Sequence, residues 1–370
     1  MLLFTPGPTP TPEIIRVAMS VPTMHHRTPE FEEIFKVVRE KLINIMNMPE
    51  VLMLASSGTG AMEAAVTNLC KSHALTINSG KFGERFGKIC KAFDIPYTEL
   101  KYSWDTPASV EDILHEVKTN PKIDVLCIQI SESAGGLRHD VEGIAKAIKE
   151  INKDIMIIAD GITAVGVEPI DTTHIDVLIT GSQKAFMLPP GLAIVGLSKE
   201  AVLRVEKAPR GFYFNLASEL KNQRKNTTAY TAATTLIIGL KAMLELIEKE
   251  GFEKFYKDTK NRALAANAAL GAINLKIYPK SPSLAMSTVY HESAKEIRSI
   301  AKKRYGVNIA GGQDELKDRL FRINNMGLIA PYEIAWALNA VELALDELGI
   351  REYDGTANRI FTQEFFKGIK

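Results

Sequence analysis

Residues 155–186 read IMIIADGITAVGVEPIDTTHIDVLITGSQKAF, and this stretch sets the fold class. It opens on an apolar run, 155–159, in which apolar and polar residues do not alternate. A second run of the same kind, 177–180, follows. Strands are apolar throughout when both faces of their sheet are covered, as in a parallel sheet packed between helices. Further short runs lie outward at 52–55, 74–78, 125–130 and 193–197, and helical patterns near 60–70, 82–93, 109–118 and 140–151 fall between them. The alternation predicts an α/β domain with a mostly parallel sheet.

Past residue 230 the rhythm changes. Leu236, Leu240, Leu244 and Ile247 mark one face of a long helix, and a second helical stretch runs to about 272. A strand at 285–290, a helix near 293–305, a strand at 319–323 and a final helix striped by Ile334, Leu338, Val341 and Leu345 predict a smaller α+β unit. The first dozen residues hold four prolines and read as an extended arm, neither helix nor strand. Thr28 and Pro29 read as the cap and first turn of a helix. The expected division is an arm at 1–20, a large domain at 21–270 and a small one at 271–370.

Composition excludes several classes. Of 370 residues 46% are hydrophobic, enough for a sizeable core. Lys+Arg at 45 and Asp+Glu at 44 leave no field to attract nucleic acid or an anionic membrane. No apolar run reaches bilayer length, and the start MLLFTPGPTP lacks the pattern of a signal peptide. Cys70, Cys90 and Cys127 are an odd number without metal-ligand spacing, and His25-His26 lack the spacing of a metal pair. The expectation is a reduced, cytoplasmic protein without a structural metal.

Two residues in the opening stretch carry chemistry. Asp160 directly follows an apolar strand and so falls at the carboxyl edge of the sheet, where α/β folds place ligands. Lys184 follows the next strand in Gly181-Ser182-Gln183-Lys184 and falls at a comparable edge position. A lysine amine that attaches pyridoxal phosphate (PLP), and an acid that keeps the pyridine nitrogen protonated, need this pairing. Either residue alone reads as a surface lysine or a turn aspartate. The ordered pair after apolar strands is far more specific.

With these motifs the chain resembles the class V aminotransferases, the group of alanine–glyoxylate and serine–pyruvate aminotransferases. The resemblance runs from Thr5-Pro6-Gly7-Pro8 to the Arg322 region. It rests most on Gly181-Ser182-Gln183-Lys184 followed by Pro189-Pro190-Gly191, with His26-Arg27-Thr28-Pro29-Glu30-Phe31 and Ser57-Gly58-Thr59-Gly60-Ala61-Met62-Glu63 in support. It implies PLP fold-type I, with a seven-stranded type of sheet in the large domain. It also implies roles. Lys184 would hold PLP covalently and shuttle a proton, and Asp160 would pair with the ring nitrogen. Thr59, Gly60 and Ala61 would hold the phosphate at a helix N-terminus. Phe82 would stack on the ring, Ser133 would face its phenolic oxygen and Gln183 its phosphate. Thr231 would reach a phosphate across a homodimer interface. Arg322 would clamp the substrate carboxylate, with Gly7 beside the substrate. Ala61 stands where some relatives carry histidine, and Thr228 where some carry tyrosine.

Several of these residues also have plainer readings. Phe82 is by default a core helix residue, Ser133 satisfies a local turn, and Thr231 caps the helix at 232–249. Arg322, between apolar neighbours, needs an anionic partner if buried. The function implied is ping-pong transfer of an amino group from a small L-amino acid (alanine or serine, with aspartate as a further candidate) to a 2-oxo acid such as glyoxylate or pyruvate. Three alternatives stand beside it: a PLP-dependent lyase or desulfurase, a nicotinamide dehydrogenase, and a non-catalytic PLP-fold subunit. A desulfurase needs a nucleophilic cysteine late in the chain, and all three cysteines precede residue 128. Glu63 occupies the third glycine position of a dinucleotide fingerprint.

Overall fold

The computed structural model describes residues 1–368. A seven-stranded sheet runs in the order Glu50–Leu54, Ala193–Leu197, Val177–Gly181, Met156–Asp160, Ile123–Gln129, His73–Asn78 and Tyr97–Lys101. All neighbours are parallel except Ala193–Leu197, which is antiparallel to both of its partners. Glu50–Leu54 therefore points the same way as Val177–Gly181, and six strands end on one edge.

Successive residues of the apolar strands serve opposite faces. Leu126, Ile128 and Ile157 pack with Phe31, Phe35 and Leu42 of the helix Pro29–Met46 on one side. Val125, Cys127 and Ile158 pack with Met62 and Val66 of the helix Gly58–Leu69 on the other. That two-sided burial explains why these strands do not alternate in sequence. Thr28 caps Pro29–Met46 as expected, its hydroxyl accepting the Phe31 N–H at 3.4 Å.

A second, five-stranded sheet runs in the order Leu2–Phe4, Val307–Gly311, Leu320–Asn324, Met286–Tyr290 and Lys276–Ile277. The helices Phe252–Ala272, Ala294–Tyr305, Pro331–Glu347 and Thr356–Lys367 pack over it around a core that includes Phe321, Leu338 and Phe361. The amino-terminal stretch differs from the extended arm expected of it. Leu2–Phe4 pairs parallel with Val307–Ile309, and Glu13–Met19 is a helix. The prolines at 6, 8, 10 and 12 confine the irregular backbone to the segment between, leaving the apolar Leu2, Leu3 and Phe4 free to join a sheet.

Candidate active site

The carboxyl ends of the parallel strands supply the turns at 55–58, 78–82, 129–133, 160–163 and 181–184. Residues from these turns line a cavity of about 220 Å³, among them Ser57, Thr59, Phe82, Ser133, Asp160, Gln183 and Lys184. Arg85, one helical turn beyond Phe82, also lines it. Topology brings these loops together because all parallel strands discharge on one edge.

Lys184 is buried, and the amino-terminal segment covers it. Its Nζ donates to the Pro6 carbonyl at 2.5 Å, and its own carbonyl accepts the Thr9 hydroxyl at 2.7 Å. Gly7 lies directly on the side chain, where any Cβ would collide with Lys184 Cδ, Cε and Nζ. Burial, reinforced by the Arg322 charge, lowers the amine to about 8, against the opposing pull of Asp160. Asp160 is buried in the same cavity. Burial pushes its carboxyl up to about 6, while the Ile162 N–H at 2.9 Å, Arg85 and Lys184 act the other way. The two groups thus sit in one low-dielectric space, each sensing the other's charge.

The helix Gly58–Leu69 opens onto this cavity with no side-chain cap. The N–H groups of Thr59 and Gly60 make no hydrogen bond among the described residues. Ala61, named with them from the sequence, differs: its N–H donates to the Ser57 carbonyl at 3.2 Å, and the residue is fully buried. The Gly58 N–H is likewise unbonded among the described residues, and Gly58 and Thr59 line the cavity, so the free donors of this helix start are those of residues 58–60, without Ala61. Thr59 Oγ1 accepts Arg85 Nη1 at 2.8 Å, and the Arg85 guanidinium stands 4.7 Å over the Phe82 ring.

Arg322 is buried beside Ser133. Its Nη1 donates to the Ser133 carbonyl at 2.5 Å and its Nε to the Gly311 carbonyl at 2.9 Å. Neither Arg322 nor Arg85 forms an ion pair among the described residues, although Arg322 is 7% exposed. A buried guanidinium held only by carbonyls has charge left for an anion. Burial lowers Arg322 to about 10, and the Glu132 carboxylate partly offsets this.

Thr231 is not brought to this cavity within one chain. It is exposed, beside Tyr213 and Tyr230. Nor does it cap the next helix, which starts at Thr234 behind Ala233. Sequence reasoning missed Arg85 and Glu132. Arg85 was findable as the residue three beyond Phe82, on the same helix face. Glu132 carries no comparable signal, since two of its three partners, Phe82 and Gly83, lie about fifty residues away. The three cysteines are buried in the core between the sheet and the helix Gly58–Leu69, Cys127 on a strand of the sheet itself, and burial pushes Cys70 up to about 12 and Cys90 to about 11. None lines the cavity, which leaves a desulfurase without its nucleophile.

A family model described as aminotransferase class-V matches residues 15–314. The chain is 56% identical over 367 residues to an uncharacterized aminotransferase of Helicobacter pylori, covering 99% of this chain and 100% of that one. It is 30% identical to the serine–glyoxylate aminotransferase of Hyphomicrobium methylovorum, covering 99% and 94%. Among solved structures, an aspartate aminotransferase of subgroup IV from Thermus thermophilus superposes with a TM-score of 0.87 at 31% identity, covering 94% of this chain and 99% of that one.

Proposed function

Because this chain belongs to the class V aminotransferase family and is a PLP-dependent aminotransferase of fold-type I, we propose that it moves the amino group of a small L-amino acid to a 2-oxo acid, with the cofactor held on Lys184. Alanine or serine is the favoured donor, aspartate the third candidate, and glyoxylate or pyruvate the acceptor. The serine–glyoxylate and aspartate enzymes named above support that range. One observation carries the reading: a buried lysine, a buried aspartate and an uncapped helix N-terminus converge on one cavity, and Arg322, without an ion pair among the described residues, bonds to the Ser133 that lines it.

The residues fit the cofactor. Thr59 and Gly60 offer free N–H donors to a phosphate, with Gln183 on the same wall. Asp160 offers a buried carboxylate to a protonated ring nitrogen, which would draw its pKa back down from about 6. Phe82 offers a ring face and Ser133 a hydroxyl. When bound, PLP supplies an electron sink that makes the donor's Cα–H acidic.

The chain's own groups do the rest. Arg322 would grip the donor carboxylate bidentately, turning from the carbonyls that hold it now. Gly7 and the Pro6 carbonyl would close over the donor and keep the Lys184 amine in place. Lys184 Nζ, lowered to about 8, would take the Cα proton and later return it. Water would release the donor's carbon skeleton as a keto acid while its amino group stays on the cofactor that Lys184 and Asp160 would hold, and a second keto acid entering the same site would take that group up, which is a ping-pong cycle. We further propose a cytoplasmic homodimer in which the exposed Thr231 completes the partner's phosphate site. No helix among the described residues is long and apolar enough to cross a membrane.

The test is a single-turnover experiment. The PLP-loaded protein is mixed with one amino acid and no acceptor. Release of pyruvate from alanine, hydroxypyruvate from serine or oxaloacetate from aspartate, about one equivalent per site, is the expected result. Lys184→Ala should release none. A loaded protein that yields no keto acid from any common amino acid would sink the reading.

A further inference from the structure

Glu132 is a fully buried carboxylate to which the reaction outlined above gives no task. It lies in the short ribbon Ser131–Glu132 and Leu137–Arg138, just past the strand Ile123–Gln129. Among the described residues no lysine or arginine forms an ion pair with it, and backbone donors meet its carboxyl oxygens instead. Oε2 accepts the N–H of Phe82 at 2.9 Å and that of Gly83 at 2.8 Å, and Oε1 accepts the N–H of Ala134 at 2.9 Å. Three such bonds are what makes a buried carboxylate tolerable.

The donors explain the arrangement. Phe82 and Gly83 begin the helix Lys81–Ala92, whose cap position is Gly80 and which has no side-chain cap of its own. First-turn N–H groups have no partner within a helix. Here an anion from a distant strand end supplies one, at the end of the helix dipole that favours it. Gly80 lies against the same carboxylate, where a Cβ would come within 2.5 Å of Glu132 Cγ and Cδ. The helix Gly58–Leu69 is just as uncapped by side chains, yet its Thr59 and Gly60 N–H groups stay free for a ligand. One helix start is reserved for an anionic ligand and the other is occupied by Glu132. The next residue, Ser133, accepts Arg322 through its carbonyl.

We propose that Glu132 is a positioning residue whose carboxylate clamps the start of the Phe82 helix to the Ser133 turn, so that the ring-facing wall and Arg322 are held as one unit. The meaning of Phe82 and Arg322 rests on the function proposed above; the clamp itself does not. The first experiment therefore uses the cofactor-free wild-type protein. Amide hydrogen exchange at Phe82 and Gly83 should be slower by about tenfold or more than at Thr59 and Gly60, which have no acceptor. Equal exchange at the two helix starts overturns the clamp. The second uses Glu132→Gln, which can no longer accept at both oxygens, and Glu132→Asp, which keeps the charge but is too short to reach both elements. In whichever variant folds, exchange at residues 82 and 83 should rise toward the Thr59 rate. The visible circular dichroism of bound PLP should fall by about half or more, and the donor KM should rise more than kcat falls. Exchange and dichroism both unchanged in a folded variant would overturn the proposal. If the wild-type protein binds no PLP while the exchange contrast holds, the functional reading fails and the clamp survives.

Discussion

At the residue scale the proposed chemistry turns on two buried groups of opposite charge. Burial lowers the Lys184 amine to about 8 from an ordinary 10.5. Attachment to an aldehyde needs the free amine, and at neutral pH a shift of that size enlarges the free fraction roughly 300-fold. Cofactor attachment to the apoprotein, followed by absorbance, should accelerate with rising pH and level off above about pH 8. The neighbours set the sign of further changes. Arg322 depresses the amine and Asp160 raises it. The inflection should therefore move up in Arg322→Gln and down in Asp160→Asn. An inflection near 10 in the wild-type protein would show that the lysine is solvated. Arg322→Lys keeps a positive charge but loses the fork, so the donor KM should rise by about tenfold with a smaller change in kcat. Asp160 and Lys184 were legible in the sequence because each follows an apolar strand within a few residues. Glu132 and Arg85 were not, because what makes them matter is a partner brought by the fold: Phe82 and Gly83 for one, the Thr59 hydroxyl for the other.

At the scale of elements, legibility follows burial. Six of the seven strands of the large sheet were readable because both faces are apolar. Tyr97–Lys101 was not: unlike the other edge strand, Glu50–Leu54, which is buried, it is half-exposed, and its residues Tyr-Thr-Glu-Leu-Lys mix polar and apolar types. Val307–Gly311 was hidden similarly by Asn308 and a terminal glycine. Leu2–Phe4 is too short to show any periodicity, and its partner lies some three hundred residues away in the chain. The segment between that strand and the helix Glu13–Met19 is where an element-scale prediction belongs. Gly7 adopts φ +100° and touches the Lys184 side chain. Gly7→Ala should cost about 1 kcal/mol or more in backbone strain and displace the segment from the lysine. Cofactor attachment should slow while the thermal midpoint of the large sheet and its helices changes little. Unchanged attachment would mean that the segment does not govern the lysine.

At the scale of the whole molecule, the arm and the five-stranded sheet reach residues that line the cavity, Pro6 bonding to Lys184 and Arg322 to Ser133. Arg322 comes from the five-stranded sheet and bonds to Ser133 beside the seven-stranded one. Lys81 pairs with Asp314 at 2.8 Å across the same junction. The helix Phe252–Ala272 packs with the five-stranded sheet and Leu2–Phe4 is part of that sheet, so we propose that the two bodies divide near the start of that helix and not at residue 270, with the segment after Phe4 passing between them. The homodimer proposal is tested at this scale. Phe212 is 82% exposed and packs against Tyr230, next to Thr231. Phe212→Asp should shift the protein toward monomer in sedimentation equilibrium and weaken PLP binding together with it. A monomer that keeps full activity would refute the shared site. The sequence by itself determined the fold class and the strand-end placement of Asp160 and Lys184, because burial on two faces and turn chemistry are local properties written in consecutive residues. Only the tertiary structure decided the rest. It buried Lys184 under Pro6 and Gly7, left Thr231 outside the cavity and brought the Phe82 and Gly83 N–H donors to Glu132. Those features depend on which distant segments the sheet edges bring together, and no period in the chain encodes that.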